Sequence, residues 1–256
     1  MTNAIHPAAD AGFGSAAGAY ERGRPGYPAD AVAHLIRVLG IGPSDTVLDL
    51  AAGTGKLTEL LVSTGAELVT VEPVDEMRDR LQARIPAIRT LRGTAEAIPL
   101  GDASADAVTV AQAFHWFDGE LALREIHRVL RPGRGLGLVW NVRDESVDWV
   151  ARLTDILDPY AGDTPRHRSG VWRAAFDRTD LFGEMKERSF PHAHETTPEG
   201  LVDRVLSTSF IAALEESGRD RVQEQVVKLT RRHPELAGRE RFGFPYRTDV
   251  LWCERT

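Results

Sequence analysis

Cysteine is almost absent. Cys253 is the single one in 256 residues, so no disulfide forms within the chain and a reducing compartment is expected. No apolar run reaches the ~18–20 residues that span a bilayer. The stretch from Met1 to Ala11 lacks the basic-then-apolar pattern of a secretion signal. Basic charge does not dominate either: 31 Lys and Arg stand against 38 Asp and Glu, a formal charge of −7, which disfavours a polynucleotide partner. Arg231, Arg232, Arg239 and Arg241 are interspersed with Glu235 and Glu240 and read as mixed surface. His192 and His194 have no companions at metal-ligand spacing, so no metal is expected. What remains is an ordinary globular balance, 42% apolar and 27% charged residues, with material for a sizeable core. The expectation is a cytoplasmic protein, free of membrane, that acts on something small.

The apolar pattern gives the organisation. Ala31, Leu35, Val38 and Leu39 mark one side of a helix from Pro28 to Leu39, broken by Gly40 to Pro43. Thr46 to Ala51 is a short, nearly continuous apolar run, as in strands buried on both faces of a parallel sheet. Helices are predicted over Lys56–Ser63, Asp75–Arg84 and Glu120–Leu130, the last ended by Arg131-Pro-Gly133. Between them fall strands at Leu68–Val71, Ile88–Leu91, Ala107–Ala111 and Gly137–Trp140. This alternation implies right-handed crossovers and a doubly wound parallel sheet. After Asn141 the rhythm changes. Helices are predicted at Ser146–Leu157, Pro198–Leu214 and Arg219–Arg232, a polar loop at Thr164–Ser169, and strands at Met185–Phe190 and Phe242–Trp252. No linker separates a second domain, so the late helices are expected to cap a single one.

The sharpest feature is Val47-Leu-Asp-Leu-Ala-Ala-Gly-Thr-Gly55, a strand that runs into a glycine-rich turn and opens a helix. Such glycines permit positive φ and let a ligand lie on the backbone, and in an open α/β sheet ligands bind outside the carboxyl ends of the strands. A phosphate-binding P-loop requires glycine where Leu50 stands and Ser or Thr where Leu57 stands. A dinucleotide fingerprint requires Gly or Ala where Thr58 stands. The third reading is a nucleoside without phosphate. Glu72 ends the second strand, 17 residues after Gly55, where a carboxylate accepts hydrogen bonds from both ribose hydroxyls and repels a ribose phosphate. Asp49 lies inside an apolar strand, an expensive place unless a polar or charged partner meets it. Two such carboxylates suit a cofactor that carries an ammonium and a sulfonium.

Asp49-Leu-Ala-Ala-Gly-Thr-Gly55, Val71-Glu-Pro73, Gly93-Thr-Ala-Glu-Ala-Ile-Pro99, Ala111-Gln-Ala-Phe-His-Trp-Phe-Asp118 and Glu125-Ile-His-Arg-Val-Leu-Arg-Pro-Gly133 occur in that order. Together they resemble the class I S-adenosylmethionine-dependent methyltransferases over about residues 45–141. The flank Tyr20-Glu-Arg-Gly-Arg-Pro-Gly-Tyr-Pro28 resembles a small-molecule branch, and the His-Trp-Phe-Asp stretch is similar to trans-aconitate methyltransferase-like enzymes. The resemblance implies a Rossmann-like α/β fold: a doubly wound, mostly parallel sheet with an antiparallel last strand and added helices forming a lid. It implies one domain, with N-terminal helices in 1–45, a cofactor-binding core in 46–142 and substrate-side helices and strands in 143–256.

The cofactor implied is S-adenosyl-L-methionine. Gly53 and Gly55 are expected against its methionine part, Asp49 near its amino group through water, Glu72 on the ribose hydroxyls and Pro73 or Val74 beside the adenine. Thr94, where many relatives have Asp, and Ala95 fall at the adenine edge, and Gln112 nearest the transferred methyl. Ala51 stands where the family has glycine; it belongs to the implied cofactor set with Glu96, Tyr20 and Arg24. The implied reaction carries a methyl group to an oxygen, carboxylate or hydroxyl, of a small acceptor. An N-methyltransferase and a cofactor-binding protein without transfer are the alternatives, and a nicotinamide-dependent oxidoreductase ranks third.

His115 follows the fourth strand and is the candidate base, since an imidazole titrates near neutrality. A carboxylate acceptor needs no base, whereas a phenol, amine or alcohol does. Trp116 and Phe117 either wall the acceptor or pack beneath the next helix, and His127 is expected to be structural. Arg166, His167 and Arg168, together with Arg22 and Arg24, are either solvated charge or binders of an anionic acceptor. Tyr20 and Tyr27 offer aromatic faces to a sulfonium.

Overall fold

The structure is a computed structural model that describes residues 25–256. Tyr20, Arg22 and Arg24 lie outside the described residues. The first half alternates helix and strand: α1 (Ala29–Leu39), β1 (Thr46–Leu50), α2 (Lys56–Leu61), β2 (Glu67–Val71), α3 (Asp75–Arg84), β3 (Arg89–Leu91), β4 (Ala105–Ala111), α4 (Gly119–Val129) and β5 (Leu130–Arg143). The second half contains α5 (Asp148–Leu157), α6 (Ala174–Asp177), β6 (Lys186–Thr196), α7 (Pro198–Leu206), α8 (Ser209–Ala212), α9 (Glu216–Arg232) and β7 (Phe242–Glu254).

The seven strands form one sheet in the order β3-β2-β1-β4-β5-β7-β6. β1 to β5 pair in parallel, and β7 runs antiparallel to both β5 and β6. This is the expected Rossmann-like sheet with its antiparallel last strand. Alternation along each strand divides the core. Val47, Ala107, Val139 and Val250 meet α1 and α2 on one face, while Leu48, Val108, Leu138 and Leu251 meet α4 on the other. Tyr27 packs against the first of these clusters, half-buried beside α1. A third cluster joins α5, α7, α8 and α9 to Phe242, Phe244 and Tyr246 at the start of β7, with Trp149 at its centre. Among the described residues no helix is long and apolar enough to cross a membrane.

Three local expectations are corrected. Arg131-Pro-Gly133 does not separate α4 from its strand: Leu130 already pairs with Ala105, and pairing resumes at Gly135 opposite Ala107. The intervening bulge is held because Arg131 and Arg134 both pair with the buried Asp106, Arg134 at 2.9 Å. The helix predicted over Pro198–Leu214 breaks at Ser207 and Thr208, whose hydroxyls donate back to Arg204 O, Ser207 at 2.8 Å. That competing bond bends or ends helices. The strand at Met185–Phe190 extends to Thr196 because β7 supplies a partner for all eleven residues of β6.

β5 lies close under α1. A Cβ on Gly137 would stand 2.5 Å from Leu35 Cδ1 and 2.9 Å from Leu39 Cδ1, two side chains enclosed in the core. Gly137→Val is therefore expected to lower stability by about 1–3 kcal/mol through overpacking. Urea denaturation checks this, and an unchanged midpoint would mean that α1 moves aside freely.

Candidate cofactor site

The sheet order reverses between β1 and β4, which opens a crevice at their carboxyl ends. The turn after β1 lies there, with Ala51, Gly53 and Gly55 at φ of 54°, 58° and 79°. Ala51 adopts a conformation that ordinarily favours glycine, and the bond from Ala52 N–H to Val71 O holds the turn against β2. Gly55 faces Leu81 of α3, which a Cβ would meet at 3.0 Å, whereas a Cβ on Gly53 would meet nothing within 4 Å. The backbone at Gly53 is thus open to a ligand.

Two carboxylates flank the turn. Glu72, just past β2, is 5% exposed, and its two oxygens accept N–H bonds from Gly53 (2.9 Å) and Val74 (3.0 Å). Arg78 secures the backbone beneath it by donating to the carbonyls of Glu72 and Pro73, each at 2.8 Å. Burial raises the Glu72 pKa against these donors, and the charge of Asp49 adds to the rise. Asp49 lies under the turn. It is 1% exposed, with hydroxyl donors at both oxygens: Thr58 of α2 at 2.6 Å and Thr109 of β4 at 2.9 Å. Burial pushes its pKa up to about 6, the two hydroxyls notwithstanding.

The other walls come from the loops after β3 and β4. The chain turns back at Thr94, where Ala97 N–H donates to Thr94 O, and Ala95 is buried beside Val71 and Ile98. Glu96 accepts the N–H of Asp118, the residue that caps α4, so it ties one loop to the other. Gln112 has φ of 60° and donates its N–H to Val139 O. His115 follows in a short 3₁₀ turn, Phe114–Trp116. The Trp140 indole N–H donates to His115 Nδ1 at 3.3 Å. An indole nitrogen only donates, so the neutral ring carries its proton on Nε2. Phe117 packs against Phe114 and the core behind it, the second of its two expected placements.

The predicted basic loop is internally neutralised: Arg166 and Arg168 both pair with Asp158, at 2.9 and 3.1 Å, and Arg168 also approaches Glu145. His167 packs against Trp140, tilted at 4.5 Å between ring centres, and stacks on Trp172. The structure instead gathers residues that sequence reasoning did not single out together: Arg143, Arg204, Tyr246 and His192, each with a buried side-chain atom that lacks a hydrogen-bond partner. The strand registers alone bring Arg143, Tyr246 and His192 into line.

A buried Asp49 makes the stability of the free protein pH-dependent. Its pKa of about 6 lies above the unfolded 3.8, so its contribution is full below the lower value and is lost as pH rises through the higher one. Asp49→Asn is expected to stabilise the free protein by about 2–3 kcal/mol at pH 8 and to leave it nearly unchanged at pH 4. Urea denaturation of both forms at each pH checks this; equal stability at pH 8 would mean that the charge is not strained by burial.

Residues 48–136 match the family model described as "Methyltransferase domain". An uncharacterized methyltransferase of Mycobacterium tuberculosis is 43% identical over 236 residues, 92% of each chain. An uncharacterized methyltransferase-like protein of Schizosaccharomyces pombe is 35% identical over 237 residues, again 92% of each. Among solved structures, a putative type II methyltransferase from Anaeromyxobacter dehalogenans superposes with a TM-score of 0.64 at 22% identity, covering 91% of this chain and 96% of that one. With this fold, the glycine turn with its two carboxylates, and relatives matched over nearly their whole length, the chain belongs to the class I S-adenosylmethionine-dependent methyltransferases.

Proposed function

We propose that the chain transfers a methyl group from S-adenosyl-L-methionine to an oxygen, carboxylate or hydroxyl, of a small-molecule acceptor. The observation that carries the cofactor side is the clamped Glu72 carboxylate. Its two N–H bonds fix both oxygens beside the open backbone of Gly53, and each oxygen keeps a lone pair for one ribose hydroxyl. Gly53 and Gly55 then border the methionine part, and Pro73 borders the adenine. Thr94 and Ala95 take the adenine edge, with Ala51 and Glu96 shaping the walls and Gln112 nearest the methyl. Asp49 acts from beneath: it holds the turn through Thr58 and adds negative field for the cofactor ammonium.

When bound, the cofactor supplies a methyl group already activated by its sulfonium. The chain's remaining work is to align the acceptor and exclude water, and positioning of this kind supplies ~7–11 kcal/mol in favourable cases. His115, held by the Trp140 indole that donates to its Nδ1, stands on the acceptor side as the candidate catalytic residue. An acceptor that is ionised before it binds needs no base, which favours an acidic oxygen over an amine or alcohol. Residues 46–142 form the cofactor side, and 143–256 build the acceptor side, with the added helices as its cover.

Calorimetric titration with S-adenosylhomocysteine, with NAD and ATP as controls, tests the cofactor reading: binding of the first alone is expected. Glu72→Ala is expected to weaken that binding by about 1–3 kcal/mol while circular dichroism shows an intact fold. Unchanged affinity in the folded variant, or preferential binding of NAD, would overturn the ribose assignment.

A further inference from the structure

The strand registers place Arg143 opposite Tyr246 and Tyr246 opposite His192, so the three side chains share one face of the sheet. The row sits at the carboxyl end of β5, the end at which the crevice opens. Arg204 lies on α7 near enough that its positive charge is the second cause, after burial, that lowers the Arg143 pKa to about 10. At neutral pH the Arg143 guanidinium remains charged.

The protein satisfies this cluster only in part: Arg204 Nη1 donates to Thr208 Oγ1 at 3.3 Å and His192 Nδ1 meets Thr248 Oγ1 at 3.2 Å. Six buried side-chain polar atoms lack a partner among the described residues, and four of them are here: Arg143 Nη1, Arg204 Nε, the Tyr246 hydroxyl and His192 Nε2. Tyr246 is only 2% exposed. Buried polar atoms are nearly always paired, and a concentration of exceptions calls for a partner. The nearby acids are already engaged: Asp158 binds Arg166 and Arg168, and Glu145 accepts from Thr154 at 3.0 Å. Two guanidinium groups and a phenol therefore converge with donors to spare, the arrangement that recognises anionic oxygens.

His192 adds a direction. The Thr248 hydroxyl donates to Asn141 Oδ1 at 2.6 Å, so the 3.2 Å contact between Thr248 Oγ1 and His192 Nδ1 has the ring as donor. Burial and the neighbouring His194 lower the His192 pKa and keep the ring neutral. Its Nε2 then offers a lone pair.

We infer that Arg143, Arg204 and the Tyr246 hydroxyl form an anchor for an anionic oxygen group of the methyl acceptor, with His192 Nε2 accepting a hydrogen bond from a donor on the same molecule. The inference rests on the methyltransferase reading for the role of the ligand as acceptor, but the anion site itself stands on the cluster. An anion held this way has its lone pairs committed to guanidinium groups. It serves as a handle, and a different atom of the acceptor receives the methyl group.

The test is calorimetry on the full chain, alone and saturated with S-adenosylhomocysteine, using benzoate, phenyl phosphate and neutral benzyl alcohol as probes. Either anion is expected to bind at least about tenfold more tightly than the alcohol, and the ranking of benzoate against phenyl phosphate assigns the anchor to a carboxylate or a phosphate. Arg143→Gln and Arg204→Gln are each expected to weaken anion binding about tenfold while S-adenosylhomocysteine affinity stays within about twofold. Tyr246→Phe keeps the ring stacking and is expected to show a smaller loss. Equal binding of anion and alcohol, or undiminished anion binding in both arginine variants, overturns the anchor. Failure of S-adenosylhomocysteine to bind while the arginine-dependent anion binding persists overturns the cofactor reading and leaves the anchor standing.

Discussion

Asp49 joins the two elements that border the crevice. Its carboxylate is one residue from the end of β1, and its two oxygens reach Thr58 at the first turn of α2 and Thr109 on β4. The turn between β1 and α2 cannot relax without breaking the first bond, and β4 cannot slide along β1 without breaking the second. The positive φ values of Ala51, Gly53 and Gly55 are maintained within that frame. A buried carboxylate is an expensive way to brace a turn, since hydroxyl donors offset only part of the lost hydration, and its raised pKa registers the deficit. An apolar side chain would serve folding alone at less cost. A fold that tolerates the charge here keeps a negative field beneath a surface made of backbone, which is a physical reason to place a cation on that surface.

What was legible in the sequence was local. β1, β2 and β4 are buried on both faces, so their apolar runs stand out directly. The glycine turn and Glu72 were legible because backbone conformation and a strand-end carboxylate leave marks at single positions. What was not legible depends on partners far away in the chain. Arg131-Pro-Gly133 looks like a break until Asp106 is beside Arg131 and Arg134. Arg166 and Arg168 read as solvated charge or an anion site, and only the fold of the loop shows them paired with Asp158 and Glu145. His115 stands out after the fourth strand, but the Trp140 indole that donates to its Nδ1 comes from β5. Arg143, Tyr246 and His192 are brought together by two antiparallel registers, which no local spacing encodes.

The sheet topology also separates charge. Asp49 and Glu72 lie at the ends of β1 and β2, on one side of the switch point, while Arg143 lies at the end of β5, beyond β4, with Arg204 beside it. Carboxylates thus gather on one side of the switch point, with Arg78 beneath Glu72, and guanidinium groups on the other. Such a field distinguishes the two orientations of a bound pair: a cation settles toward β1 and β2, an anion toward β5 and β7, and the exchanged arrangement meets like charge at both ends. Burial strengthens this discrimination, because partial exclusion of water lowers the effective dielectric around every group involved.

The charge of the whole chain works in the opposite sense. At −7, its outer field gives an approaching anion no steering advantage. That field is screened over about 8 Å at physiological ionic strength, whereas buried guanidinium groups are screened far less. Recognition of an anion is therefore decided inside the crevice rather than during approach. Its salt dependence falls on the encounter, and its specificity falls on Arg143, Arg204 and Tyr246. A neutral molecule of the same shape would enter with less hindrance and yet leave Arg143 Nη1, Arg204 Nε and the Tyr246 hydroxyl without a partner. That deficit, more than any attraction at long range, is what makes the interior selective.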